Sequence, residues 1–195
     1  TLTNDKARQE AIFTKTTQLF PNDFRAYNNL GELAFAAGDV AKAESYFKQA
    51  ASKNANAPEV NANLGLCELV KNNVAAAETY LGKATGANAA NEALGNLYIK
   101  QGQYQRAVNA FGDAKTNSAA QAQILAKDYN KAKATLQAIK DKDAMTDYLM
   151  AIVGARTNNE SLVSSSIKNA IAKDPTLAAK AANDREFAKF ASALK

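Results

Sequence analysis

Residues 26–50 read AYNNLGELAFAAGDVAKAESYFKQA, and the rest of the chain consists largely of imperfect copies of this stretch. Apolar residues recur in it twice at the i, i+3, i+4 spacing of a helix, on either side of Ala37-Gly38-Asp39. The first run is Tyr27, Leu30 and Ala34, and the second is Ala43, Tyr46, Phe47 and Ala50. The stretch therefore predicts a helix, a tight turn and a second helix.

Gly31 lies in the middle of the first predicted helix, where glycine is about 1 kcal/mol less favourable than alanine. A close approach of the second helix is the compensation we expect for this residue. Ala43 and Ala50 are small and share one face of the second helix, so they allow that approach.

Copies of this stretch follow along the chain. Leu30-Gly31 returns 34 residues later as Leu64-Gly65, and AESYFKQA at 43–50 returns as AETYLGKA at 77–84. A third copy begins at Leu94-Gly95. A helix-turn-helix period of about 34 residues is typical of the tetratricopeptide repeat, and the chain resembles this family. The resemblance implies an all-α, right-handed solenoid of stacked helix-turn-helix repeats.

We predict a single solenoid domain over residues 1–195, with irregular C-terminal repeats and a helical cap. Its predicted segments are a lone helix at 5–21, repeat one at 24–57, repeat two at 58–87, repeat three at 88–115, a truncated repeat four at 116–140, repeat five at 144–175 and capping helices at 176–195. The lone helix matches the second helix of a repeat. A helix cannot bury an apolar face alone, so we expect either a preceding segment or an N-terminal cap beside it.

Composition argues against catalysis. The chain has no histidine, which removes the commonest general base and metal ligand, and it has no glycine-rich phosphate-binding motif. Asp141, Asp143 and Asp147 are interpreted as part of a solvated linker. We therefore predict that the protein is not an enzyme and that it has no cofactor and no metal site. No apolar run reaches the roughly 18 residues of a membrane-spanning helix.

Charge differs between the two halves of the chain. Residues 1–97 contain 9 Lys or Arg and 10 Asp or Glu, whereas residues 98–195 contain 15 and 9. The basic half could favour acidic partners or an anionic envelope surface, or its lysines could simply face water. Aromatic residues are not interleaved with the basic ones, so we predict no nucleic-acid partner.

The family resemblance implies that a peptide or partner protein binds the concave surface formed by the first helices. The groove residues carried over on that basis are Arg25, Asn28, Asn29, Glu32, Phe35, Glu59, Asn63, Leu66, Leu69, Asn96, Ile99, Lys100 and Tyr148. The same positions also hold Ala36, Ala62, Val70, Ala89, Glu92, Ala93, Met145, Leu149, Ile152 and Arg156. Only Asn63 matches the clamp that the family uses for EEVD-type chaperone tails, so we predict no such partner.

The whole chain, from LFPNDFRAYNNLGELAF (19–35) to DPTLAAKAANDREFAKF (174–190), also resembles the C-terminal repeat region of OmpA-like or lipoprotein-type envelope proteins of anaerobic Gram-negative bacteria. This second resemblance implies a periplasmic or outer-membrane-associated location, with a cytoplasmic one still open. Two functions follow from the two resemblances. One is a scaffold that binds a peptide or protein in its groove, and the other is a structural spacer in a larger envelope protein.

Overall fold

The computed structural model describes residues 2–84, 86 and 88–194, which form thirteen helices and no strand. The helices are α1 (Leu2–Leu19), α2 (Phe24–Ala36), α3 (Val40–Lys53), α4 (Pro58–Val70), α5 (Val74–Lys83), α6 (Asn88–Lys100), α7 (Tyr104–Phe111), α8 (Asn117–Leu125), α9 (Tyr129–Ala138), α10 (Ala144–Arg156), α11 (Glu160–Lys173), α12 (Leu177–Asn183) and a 3-10 helix (Arg185–Leu194). The predicted all-α class is confirmed. Four residues lie outside the described ones. They are residues 1 and 195, at which the predicted domain begins and ends, and residues 85 and 87, near the predicted boundary of repeats two and three.

The chain forms two compact units, Thr1–Leu94 and Gly95–Lys195, which divide within α6. In the first unit, α2 and α3 form one antiparallel hairpin and α4 and α5 form the next. In the second unit, α8 pairs with α9 and α10 with α11. Within the described residues, every helix falls short of the length and hydrophobicity that a membrane crossing requires.

Five helical hairpins have the same type of turn between their two helices. A residue in the left-handed conformation follows each first helix, and its φ lies between 54° and 84°. The five residues are Gly38, Asn72, Gly102, Lys127 and Asn158. The backbone N–H after each of them donates to the carbonyl five residues earlier, as from Asp39 to Ala34 at 3.0 Å and from Asp128 to Gln123 at 2.8 Å. This is the Schellman ending of a helix, and it places all five hairpins in one register.

The predicted close approach at the helix-interior glycines is confirmed. A Cβ added to Gly65 would lie 2.6 Å from Leu81 Cγ, and one added to Gly95 would lie 2.5 Å from Phe111 Cε2. A Cβ on Gly31 would likewise overlap the ring of Phe47. Each of these three first helices therefore packs its backbone directly on a large side chain of its second helix, and this contact explains the glycine.

Two acidic residues at the start of repeat five have a different role from the one that the sequence suggests. The sequence interprets Asp143 and Asp147 as part of a solvated linker, but α10 begins at Ala144 and contains Asp147. Asp143 caps this helix, because its Oδ1 accepts from the Thr146 N–H at 2.7 Å and from the Thr146 hydroxyl at 2.8 Å. Asp147 pairs with Lys173 at 2.7 Å. The linker interpretation is wrong for these two residues because both carry defined contacts.

The C-terminal cap consists of α12 and the 3-10 helix, which separate at Asp184. Phe187 and Phe190 enter the core that α10 and α11 form around Ala151, Val163 and Ile167. The cap thus covers the apolar face that the last repeat would otherwise expose to water.

Candidate functional site

A cavity of about 190 Å³ opens on the first-helix face of the first unit. Its lining residues are Glu32, Phe35, Ala36, Phe47, Asn63 and Leu66. Five of them come from α2 and α4, the first helices of repeats one and two, and all five lie at predicted groove positions. Phe35 and Leu66 are half-buried and form an apolar floor, while Glu32 is exposed at the edge.

Three polar side chains of this surface form a connected hydrogen-bond network. Asn28 Nδ2 donates to Glu32 Oε1 at 2.8 Å. Asn63 Nδ2 donates to Asn28 Oδ1 at 3.0 Å and to the same Glu32 Oε1 at 3.2 Å. The network joins α2 to α4, so it fixes the cavity edge across two successive repeats.

Asn28 has a different role from the one that the sequence pattern suggests. The pattern places it among open groove residues, but its side chain is only 5% exposed and its amide is bonded to Glu32 and Asn63. Helical periodicity places Asn28 on the same face as Glu32, but the buried network occupies the groups that a ligand would need. Asn28 therefore positions the other two residues and is not available for contact.

The remaining predicted groove residues of the first unit vary in accessibility. Arg25 is exposed, and its guanidinium is held by Asp23, with Nη2 to Oδ2 at 2.6 Å. The Arg25 side chain, followed by its backbone N–H, lowers the pKa of Asp23 to about 2. Asn29 is half-buried and Glu59 is exposed. Leu69 packs against the core cluster around Ala62, Leu81, Ala84 and Ala90.

A second cavity, of about 440 Å³, lies in the second unit. Its lining residues are Asn117, Ser118, Gln121, Met145, Tyr148, Leu149, Ile152, Lys180 and Asp184. Counted from the shared turn, the members from α8 and α10 occupy the same register positions as the groove residues of the first unit. The truncated repeat four therefore keeps its share of the first-helix face. Asn96, Ile99 and Lys100 also belong to this unit, where Asn96 and Ile99 are half-buried and Lys100 is exposed.

Tyr148 lines this cavity but is itself a buried residue. It is 2% exposed, because the cap packs over it and the ring of Phe187 meets its ring edge-on at 5.5 Å between centroids. Its hydroxyl donates to Asp184 Oδ2 at 2.6 Å. Burial, followed by this bond to a carboxylate, raises the pKa of Tyr148 above its ordinary value. Repeat spacing does not predict this burial, because the cap contact joins residues 36 positions apart.

The sequence reasoning missed five lining residues of this second cavity: Asn117, Ser118, Gln121, Lys180 and Asp184. Repeat four lacks the Leu-Gly pair that marks the register elsewhere, and Lys127 stands where a glycine or asparagine would show the turn. The contribution of α12 could not be found from repeat spacing. Lys180 lies with its Nζ 4.8 Å from the centroid of the Tyr148 ring, at one wall of the cavity.

A charged cluster joins α3 to α4. Glu44 pairs with Lys48 at 2.6 Å and Lys71 at 3.0 Å, and the hydrogen bonds from these two lysines lower its pKa. Cys67 is buried beside this cluster, and burial, aided by the charge of Glu44, raises the pKa of its thiol to about 11. The thiol therefore stays protonated near neutral pH and acts as a small packing residue. In the described part of the chain, no cluster of three or more Cys, Asp or Glu side chains could hold a metal.

Among solved structures, the fold is similar to that of three repeat proteins. The APC/C hetero-tetramer Cut9–Hcn1 is 18% identical, with a TM-score of 0.66 over 99% of this chain and 40% of that chain. YrrB, described as a TPR protein with an unusual peptide-binding site, is 19% identical, with a TM-score of 0.65 over 84% of this chain and 92% of that chain. PilF of Pseudomonas aeruginosa is 12% identical, with a TM-score of 0.74 over 98% of this chain and 91% of that chain. The chain thus spans well under half of the Cut9–Hcn1 chain.

Family comparison agrees with the geometry. A search of curated proteins found no match. Three models of the tetratricopeptide repeat match residues 6–58, 34–98 and 90–118, which together cover more than half of the 195 residues. The matched residues include three of the hairpins described above, with the turn residues Gly38, Asn72 and Gly102, and the close-packed Gly31, Gly65 and Gly95. The chain belongs to the tetratricopeptide repeat family.

Proposed function

We propose that this protein is a non-enzymatic scaffold that binds a peptide segment of a partner protein on the first-helix face of its first unit. The observation that carries the proposal is the cavity between α2 and α4, with Phe35 and Leu66 as its floor and Glu32 and Asn63 at its edge. A repeat scaffold supports protein interaction in general, and this cavity is the location that we propose for it.

The dimensions suit one apolar side chain of an extended or helical segment. A volume of about 190 Å³ is several times the roughly 30 Å³ that one water molecule occupies in the liquid. An aliphatic side chain can therefore enter, and the exposed polar edge can contact the main chain or a neighbouring side chain. YrrB shares the fold and is described as having a peptide-binding site, which supports a peptide as the class of ligand.

The test is a selection of peptides from a random heptapeptide library displayed on phage, with the whole chain as bait. Selected peptides are then titrated against two variants that make the same change at exposed alanines. Ala36→Leu fills the cavity, whereas Ala41→Leu alters α3 away from it. Burying one aliphatic side chain contributes about 1.5–3 kcal/mol, so Ala36→Leu should weaken binding at least about tenfold.

Binding that Ala36→Leu and Ala41→Leu affect equally would contradict the proposed site. A selection that yields no peptide dependent on this surface would favour the alternative, in which the chain is a structural spacer in a larger cell-envelope protein. The periplasmic or outer-membrane location stays a proposal from the sequence. Fractionation of cells that express the chain in its natural context measures it directly.

A further inference from the structure

At the cavity edge of the first unit, the side-chain amide donors bond to other side chains of the protein. Asn63 Nδ2 donates to Asn28 Oδ1 at 3.0 Å and to Glu32 Oε1 at 3.2 Å, so this amide nitrogen is engaged within the protein. Asn28 is 5% exposed, so its amide is not open to a ligand. Among the described residues, the other oxygen of Glu32 and the Oδ1 of Asn63 have no hydrogen-bond partner. The polar groups left at the edge are therefore acceptors.

This orientation follows from the chemistry of Glu32. A carboxylate can only accept hydrogen bonds, so the side chain of Asn28 must turn its NH₂ group toward Glu32. The carbonyl of Asn28 then faces Asn63 and accepts a hydrogen bond, so Asn63 must donate through its own NH₂ group. The carbonyl of Asn63 is left to face outward. One carboxylate thus sets the orientation of two amides on two repeats, independently of how amide atoms are assigned.

The charges on this face agree with the acceptor edge. The predicted groove positions from Arg25 to Ala93 hold three carboxylates, those of Glu32, Glu59 and Glu92, and all three residues are exposed. In the described part of the chain, none of the three takes part in an ion pair. The one cation at these positions, Arg25, is neutralised by its two-point contact with Asp23.

We propose that the partner segment of this site carries a lysine or arginine next to an aliphatic or aromatic residue. The apolar side chain enters the cavity over Phe35 and Leu66, and the cation donates to Glu32 and Asn63 Oδ1 at its edge. This inference rests on the proposed function, because it names the chemistry of the peptide that the same cavity binds. A cation supplies donors and positive charge, which the edge lacks.

The test uses synthetic peptides of defined sequence. The host is acetyl-Gly-Leu-Leu-Gly-Ser-Gly-amide, and one non-leucine position at a time carries lysine, norleucine or glutamate. Binding to the whole chain is measured by nuclear magnetic resonance, from the side-chain amide shifts of Asn63. We expect the best lysine peptide to bind about fivefold more tightly than its norleucine counterpart at 50 mM salt. The preference should fall to about twofold or less at 500 mM salt, because salt screens an exposed ion pair.

Glu32→Gln is the decisive variant. The glutamine carbonyl can still accept from Asn28 and Asn63, and its NH₂ group then faces the ligand. We expect this variant to lose the lysine preference and to bind the glutamate peptide better than the wild type does. Glu160→Gln makes the same change at an exposed residue at the start of α11 and should leave the preference unchanged. Urea unfolding of both variants controls for stability.

The outcomes separate the two proposals. If no peptide shifts the Asn63 amide, the proposed function fails and the inference fails with it. If peptides bind but the norleucine or glutamate series equals the lysine series, the groove function stands and the cationic partner is wrong. A lysine preference that survives in Glu32→Gln would also overturn the inference.

Discussion

Two glycines in repeat two offer a controlled measurement of the helix-to-helix contact. Gly65 lies in α4 and Gly82 in α5, and neither has a positive φ. A Cβ at Gly65 would meet Leu81 Cγ at 2.6 Å and the Leu81 backbone nitrogen at 3.2 Å, whereas a Cβ at Gly82 would meet nothing within 4 Å. The same substitution to alanine should therefore have opposite effects at the two sites.

The magnitude follows from two contributions. Replacing glycine by alanine in a helix gains about 0.5–1 kcal/mol, and both variants share this gain. Carbon atoms in ordinary contact lie about 3.5–4.0 Å apart, so Gly65→Ala has an overlap of about 1 Å, which costs about 1–3 kcal/mol. Because the shared gain cancels, we expect Gly65→Ala to be less stable than Gly82→Ala by about 1–3 kcal/mol.

Urea unfolding followed by circular dichroism measures this difference, provided that both variants unfold with the same denaturant slope. Gly82→Ala should be more stable than the wild type by up to about 1 kcal/mol. Removing the large side chain that causes the overlap supplies a second check. Leu81→Ala should cost less in the Gly65→Ala background than in the wild type. Equal stability of Gly65→Ala and Gly82→Ala would refute the close contact and, with it, the repeat register.

Three further predictions concern a turn, a helix cap and a ligand. Lys127 has a φ of 66°, a left-handed conformation that glycine adopts without strain. Lys127→Gly should therefore raise the free energy of unfolding by about 0.5–1 kcal/mol. A loss of stability in urea would contradict this. Asp143→Ala should cost about 1 kcal/mol at pH 7. Hydrogen bonds, first from the Thr146 backbone N–H, hold the folded-state pKa of Asp143 below its unfolded value. This stabilisation is therefore complete above the unfolded pKa and is lost as pH falls through the folded pKa. The unfolding free energies of wild type and variant should thus converge below about pH 4. A constant difference between them down to about pH 2 would argue against the cap. An EEVD-type peptide should give no binding heat in calorimetry, because the groove positions from Arg25 to Ala93 hold three unpaired carboxylates, and micromolar affinity would overturn this.

Most of the fold could be predicted because one local rule repeats. The Leu-Gly pair, the small residues of the second helix and the turn residue determine each hairpin within about 34 residues. The role of Asp143 was harder to predict, because a run of Lys and Asp has the composition of a linker. Asp143 acts as a cap only through its bond to Thr146. This role depends on one specific side-chain contact, which composition does not show.

The site could be predicted only as a surface. Register places Glu32, Phe35, Asn63 and Leu66 on one face, and the structure brings them together around one cavity. Register does not show that the Asn28 amide is hydrogen-bonded within the protein, because its bond with Asn63 joins side chains 35 residues apart. Nor does it show that the cap buries Tyr148. Such contacts depend on how separate elements pack, which local spacing does not encode.

The central claim is that the cavity between α2 and α4 is where a partner segment binds. The most direct measurement is the set of intermolecular nuclear Overhauser effects between a phage-selected peptide and the methyl groups of the whole chain. We predict contacts from an apolar peptide side chain to the Leu66 methyl groups and to the Ala36 methyl group, both at the cavity. Contacts confined to methyl groups elsewhere, such as that of the exposed Ala41 in α3, would contradict the claim.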